Sequence, residues 1–131
     1  MGGSLTISGG GRLTLIDCVI RDNTTFNVGA ALYVDHGQLL MVGTTVTGNS
    51  AGNVGGGVYV GPIASGEIVN STISGNHAGN TGGGLANEGR TTLNNVTVVG
   101  NSCGNVGAGI DNDFDGSPSL EIANSILADN F

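Results

Sequence analysis

The chain has 131 residues, ten acidic side chains against three basic ones and a net charge of -7, with no lysine and only Arg12, Arg21 and Arg90 as cations. That balance excludes nucleic acid and anionic lipid as natural partners. Aromatic residues make up 4% and tryptophan is absent, so a core must be built from Leu, Ile and Val. The length suits a single domain over 1–131, and no change of composition marks a linker.

Residues Met1 to Gly11 lack the charged and long apolar regions of a signal peptide, and no stretch approaches the ~18 apolar residues of a membrane span. Segment 1–12 is expected to form an irregular N-terminal coil, and membrane insertion is not expected. From Leu13 onward the chain is periodic. A turn asparagine recurs at Asn23, Asn49, Asn76, Asn101 and Asn130, at intervals of 26, 27, 25 and 29 residues. A second follows four places later at Asn27, Asn53, Asn80 and Asn105. Then come a small-residue triplet and a branched apolar residue: Gly29-Ala30-Ala31-Leu32, Gly55-Gly56-Gly57-Val58, Gly82-Gly83-Gly84-Leu85 and Gly107-Ala108-Gly109-Ile110.

Several glycines and β-branched residues per unit exclude a helical repeat, and a period near 26 is too short for a propeller blade of about 40 residues. The remaining solution is one solenoid coil per repeat. The expected fold is all-β: a right-handed single-stranded parallel β-helix of about five coils, each with three short strands. Right-handedness follows from the crossover rule for parallel strands.

Alternation assigns the faces. Ile20, Val46, Ile73, Val98 and Leu127 form one inward column, Leu15, Met41, Ile68, Leu93 and Ile122 a second, and Leu32, Val58, Leu85 and Ile110 a third. The first two lie five residues apart, an odd number, so a bend must separate them, at Gly43, Asn70, Asn95 and Asn124. Stacked asparagines about 4.8 Å apart can form amide ladders. Segment 117–131 reads as an incomplete last coil. Cys18 and Cys103 lie three coils apart, roughly 14 Å, too far for a disulfide.

The pattern Ser71-x-Ile73-x-x-Asn76-x-Ala78-x-x-x-Gly82-Gly83-Gly84-Leu85 resembles the repeat of polymorphic outer-membrane proteins. It also resembles the glycine- and asparagine-rich β-helix repeats of bacterial surface proteins in the pectin-lyase-like superfamily. The resemblance implies a right-handed parallel β-helix and an extracellular or cell-surface setting, often in an adhesin.

Enzymes of that superfamily carry clustered acids or basic residues on one outward strand face. The corresponding positions here are Val19/Arg21, Thr45/Thr47, Thr72/Ser74, Thr97/Val99 and Ile126/Ala128. None is a carboxylate, so no catalytic residue is assigned and no enzyme activity is expected. Glu67 and Glu121 share a column two coils apart, roughly 9.6 Å, at the wide end for an inverting pair. The threonines at 45, 47, 72 and 97 resemble the flat arrays of ice-binding solenoids, and Tyr33 and Tyr59 share an outward column that could serve as a sugar platform. The run Asp111-Asn112-Asp113-Phe114-Asp115-Gly116 resembles the first half of a calcium loop. Asp111, Asp113 and Asp115, with Glu88 in the column of Asp113, are the candidate metal ligands. The competing reading is a solvated turn in which Arg90, placed in the column of Asp115, supplies the countercharge.

The expected function is therefore a non-enzymatic structural or adhesive segment of a bacterial surface or secreted protein. It needs no cofactor, with calcium as the optional ion. The expected partners are itself, by end-to-end coil stacking, and surface glycans. A fragment of a carbohydrate-active β-helix is the alternative, and an ice-binding solenoid a lesser one.

Overall fold

The computed structural model describes residues 3–112 and 117–131. Among them there are strands and turns but no helix, and hence none that could cross a membrane. The chain winds through about five coils. The first contains β1 (Leu5–Ile7), β2 (Gly11–Ile16), β3 (Val19–Arg21) and β4 (Thr24–Thr25). The second contains β5 (Leu32–Val34), β6 (Gly37–Val42), β7 (Thr45–Thr47) and β8 (Ser50–Ala51). The third has β9 (Val58–Val60), β10 (Ser65–Val69), β11 (Thr72–Ser74) and β12 (His77–Ala78). The fourth has β13 (Leu85–Asn87), β14 (Arg90–Asn94), β15 (Thr97–Val99) and β16 (Ser102–Cys103), and the fifth β17 (Ile110–Asp111), β18 (Ser119–Ala123) and β19 (Ile126–Ala128).

Equivalent strands stack in parallel into four sheets, here I to IV in the order met along a coil. Two details depart from expectation. The segment after each of Asn23, Asn49, Asn76 and Asn101 forms a fourth, two-residue strand, because the stacked asparagines hold the following residues in register. Within segment 1–12, read as irregular, Leu5–Ile7 pairs with Leu32–Val34 and starts sheet I. Segment 117–131 supplies β18 and β19, which continue sheets II and III.

The three apolar columns are in register as the spacing requires, Ile20 to Leu127 in sheet III, Leu15 to Ile122 in sheet II and Leu32 to Ile110 in sheet I. Met41, Val46, Val58, Ile68, Ile73, Leu85 and Val98 are fully buried. Sheets I and II each turn a second column inward, Val34–Val60–Asn87 and Leu13–Leu39–Gly66–Thr91–Leu120. The bend between sheets II and III is made by a left-handed residue in every coil: Asp17, Gly43, Asn70, Asn95 and Asn124, with φ of 52°, 59°, 49°, 57° and 51°. Gly and Asn adopt that region with the least penalty.

The corners differ in how strictly their length is held. Between sheets II and III lie residues 17–18, 43–44, 70–71, 95–96 and 124–125, always two. Between III and IV lie 22–23, 48–49, 75–76 and 100–101, again two, and each return from IV to I takes six: 26–31, 52–57, 79–84 and 104–109. From I to II the connection is 8–10, 35–36, 61–64, 88–89 and 112–118. The unequal repeat intervals thus originate at one edge of the solenoid.

Candidate functional site

The constant corner between sheets III and IV is held by a buried amide ladder. Asn23 Nδ2 donates to Asn49 Oδ1 at 2.9 Å, Asn49 to Asn76 at 2.9 Å, Asn76 to Asn101 at 3.0 Å and Asn101 to Asn130 at 3.0 Å. Each Oδ1 also accepts the backbone N–H of the asparagine one coil earlier. The second Nδ2 hydrogen of each later asparagine reaches back to a sheet III carbonyl, of Ile20, Val46, Ile73 or Val98. Asn49, Asn76 and Asn101 are buried with their amides satisfied. The expectation of an amide ladder holds, and it runs inside the wall, not on the surface.

A shorter ladder of hydroxyls lines the corner between sheets II and III. Thr44 Oγ1 accepts from Cys18 N–H, Ser71 Oγ from Thr44 N–H and Ser125 Oγ from Val96 N–H. Val96 interrupts it with a buried methyl pair where an acceptor belongs.

The outward face of sheet III carries the Thr and Ser positions expected of it, with Thr45, Thr72 and Thr97 in one column. The neighbouring hydroxyls bond to each other, Ser74 Oγ to Thr47 Oγ1 at 3.1 Å. On sheet II, Glu67 and Glu121 flank Thr92 in register.

Non-repeating side chains gather along the variable edge between sheets I and II. The rings of Tyr33 and Tyr59 stack at 5.1 Å with an 8° interplanar angle. Tyr59 Oη donates to Glu88 Oε2 at 2.6 Å, and Tyr33 Oη to Asp35 Oδ1 at 3.4 Å. Burial first, then the hydrogen bond and charge of Glu88, push the Tyr59 phenol well above its usual range. Burial and the Asp35 charge raise Tyr33 as well. Beside the tyrosines runs a recess of about 520 Å³, lined among others by His36, Gln38, Ser65, Glu88, Arg90 and Ser119. It spans successive coils along the solenoid axis.

Of the candidate metal ligands, Asp113 and Asp115 lie outside the described residues. Asp111 stands in β17 opposite Ala86 of β13, and Glu88 is engaged by Tyr59. The described residues do not bring three metal-ligating side chains together. One column assignment is corrected: Arg90 pairs with Ser119, not Asp115, because residues 112–118 lengthen the connection and shift everything after them. Cys18 and Cys103 are unbridged, and His77 Nδ1 contacts Ser102 Oγ at 3.0 Å.

A buried polar cluster at the same edge is not apparent from the repeat. Asn87 occupies the column of Val34 and Val60, and its Oδ1 accepts from buried Thr91 Oγ1 at 2.7 Å. Its Nδ2 donates to Asn112 Oδ1 at 2.7 Å and to the Ser119 carbonyl at 3.1 Å. One amide therefore ties both stems of the long connection. The available signal is the break in an otherwise apolar column. No protein-family model, curated protein or solved structure matches the chain. The family resemblance rests on the repeat residues alone.

Proposed function

We propose that this chain is a non-enzymatic scaffold, a β-solenoid segment of a bacterial surface or secreted protein, which presents one edge for adhesion. The observation that carries this reading is the division of labour among the corners. Three have constant length, and two of those are locked by side-chain ladders. The edge between sheets I and II varies in length and collects the tyrosine stack, His36, Glu88, Arg90 and the recess. A rigid frame with one variable edge suits attachment, since binding residues concentrate on connections held by a stiff scaffold. The repeat pattern, resembling surface-protein β-helices, supports the location.

Incubation with a panel of plant and bacterial polysaccharides, with and without calcium, tests it. Unchanged chain length is the expected result, and reproducible cleavage overturns the scaffold reading in favour of a carbohydrate-active one. The adhesive half is tested by retention of neutral glycans on the immobilised protein. Retention is expected to fall when Tyr33→Ala removes the outer ring of the stack.

A further inference from the structure

We infer that the outward face of sheet II, where it meets the variable edge, is a binding trough for a linear, uncharged oligosaccharide laid parallel to the solenoid axis. The inference rests on the adhesive reading of that edge and names the class of ligand. Alternation turns Arg12, Gln38, Ser65, Arg90 and Ser119 outward as one column, in register from coil to coil. The recess of about 520 Å³ beside the tyrosines and a second of about 190 Å³ share Gln38, Ser65 and Arg90, so the two form one trough. Arg12 lines the second recess and Ser119 the first, four coil spacings or roughly 19 Å apart.

The polar groups of this column are left over by the fold. Among the described residues the one ion pair joins Arg21 to Asp22, so neither arginine of the column is matched to a carboxylate. Glu88, only two residues from Arg90, is turned instead to Tyr59 Oη at 2.6 Å. Ser119 is engaged through its backbone and not its hydroxyl, and the side chains of Gln38 and Ser65 bond to none of the described residues. On sheet III, by contrast, neighbouring outward hydroxyls bond to each other.

The chemistry of the lining selects the ligand. Arg12 and Arg90 line the trough together with Glu67 and Glu88, a balance of zero within a chain of net charge -7. Guanidinium groups only donate and carboxylates only accept, while Gln38, Ser65 and Ser119 do both. An anion cannot use the carboxylates and a cation cannot use the guanidinium groups. A hydroxyl, at once donor and acceptor, can use every one of them. Pro62 and Ile63, the latter 70% exposed, add an apolar lip for the C–H face of a sugar ring. A peptide fits less well, because the trough crosses strands whose backbone groups are already paired with neighbouring coils, leaving no strand edge for main-chain bonds. A pyranose unit advances about as far as one coil, so the trough holds about four units.

Titration calorimetry with cello-, manno- and N-acetylchito-oligosaccharides of increasing length tests the inference. Oligogalacturonate, chitosan oligomers and a glycine–serine peptide serve as the acidic, basic and peptide counterparts. At least one neutral series is expected to bind, tightening up to about four units and then levelling off, with the three counterparts at least about tenfold weaker. Affinity for the neutral series should change less than about twofold on going to ~0.5 M salt, since no ligand charge is screened. Gln38→Ala and Arg90→Met, with melting curves to establish folding, should each weaken binding at least about fivefold, and Thr72→Ala on sheet III should leave it unchanged. No binding in any neutral series, tighter binding of a charged probe or of the peptide, or indifference to both trough substitutions would overturn the inference. Binding lost in Tyr33→Ala but kept in both trough variants would overturn the trough alone and leave the adhesive edge standing. The scaffold reading fails separately, on polysaccharide cleavage.

Discussion

Gly84 packs against the side-chain amide of Asn101. A methyl group on Gly84 would stand 3.0 Å from both Cγ and Nδ2 of Asn101 and 2.5 Å from the Gly109 carbonyl oxygen. Gly57 bears the same relation to Asn76 and Gly109 to Asn130. The glycine triplets are therefore partners of the buried ladder as well as turn-makers. The second coil shows the consequence of departing from the rule. With Ala31 at that position, the N–H groups of Ala31 and Leu32 both converge on the Gly57 carbonyl, where the next coils form one bond per carbonyl.

Gly84→Ala is expected to destabilise the protein by about 1–3 kcal/mol through overpacking. Gly66→Ala should do the reverse. It lies in β10 at ordinary φ, and an added methyl would meet Val60 Cγ2 at 3.4 Å and Thr91 Oγ1 at 3.5 Å, close to ordinary contact. Restriction of the unfolded chain should then give about 0.4–1 kcal/mol of stabilisation. Urea midpoints for the two variants check the opposite signs.

Removing a central rung should harm more than removing a terminal one. Asn76→Ala leaves the Asn49 N–H and one Nδ2 hydrogen without their acceptor, takes the side-chain donor from the Val46 carbonyl, and leaves Asn101 Oδ1 only the backbone N–H of residue 76. Unsatisfied buried groups of this kind make a loss of about 3–5 kcal/mol reasonable. Asn23→Ala, at a partly exposed end, should lose about 1 kcal/mol. Equal losses in the two variants would refute a role for burial in the ladder.

Val96→Thr should complete the hydroxyl ladder. The two side chains have similar volume, Thr44 is fully buried at the equivalent position, and a new Oγ1 would meet the N–H of Ser71 as Ser71 Oγ meets that of Thr44. A gain of about 1 kcal/mol is expected. Thermal melts of Val96→Thr beside Val96→Ala separate the hydrogen bond from packing.

Tyr59 should make the fold sensitive to alkali. Its phenol is raised above the ordinary 10.0 by burial and Glu88, so the unfolded chain loses this proton first as pH rises. The associated stability is complete below about pH 10 and declines above it. Stability measured at about pH 8 and about pH 11 should fall more in the unaltered protein than in Tyr59→Phe.

Most of the frame is legible in the amino-acid sequence, since each column repeats one residue type and a period-two alternation has only two faces to assign. The bend at Asn70, Asn95 and Asn124 follows from parity alone. The features that repetition does not reveal are the non-repeating ones. Ser102-Cys103 and its counterparts share no side-chain signature, so matching columns does not find the fourth strand. Asn87 in an apolar column is explained only by its contacts with Thr91, Asn112 and Ser119, two of which lie in the next coil. Counting residues from the fourth coil misplaces Arg90, because the count fails once 112–118 has lengthened the path.

The constancy of three corners has a further consequence for how such a chain can change. A residue added at any of them would throw the asparagine, hydroxyl or glycine column out of step with its neighbours above and below. Residues added between sheets I and II leave those columns untouched, since the strands on either side of the four-residue connection 61–64 and the seven-residue connection 112–118 keep their register. That edge is the molecule's natural point of growth, the place where a foreign peptide spliced between Asp35 and His36 would be carried on an intact frame.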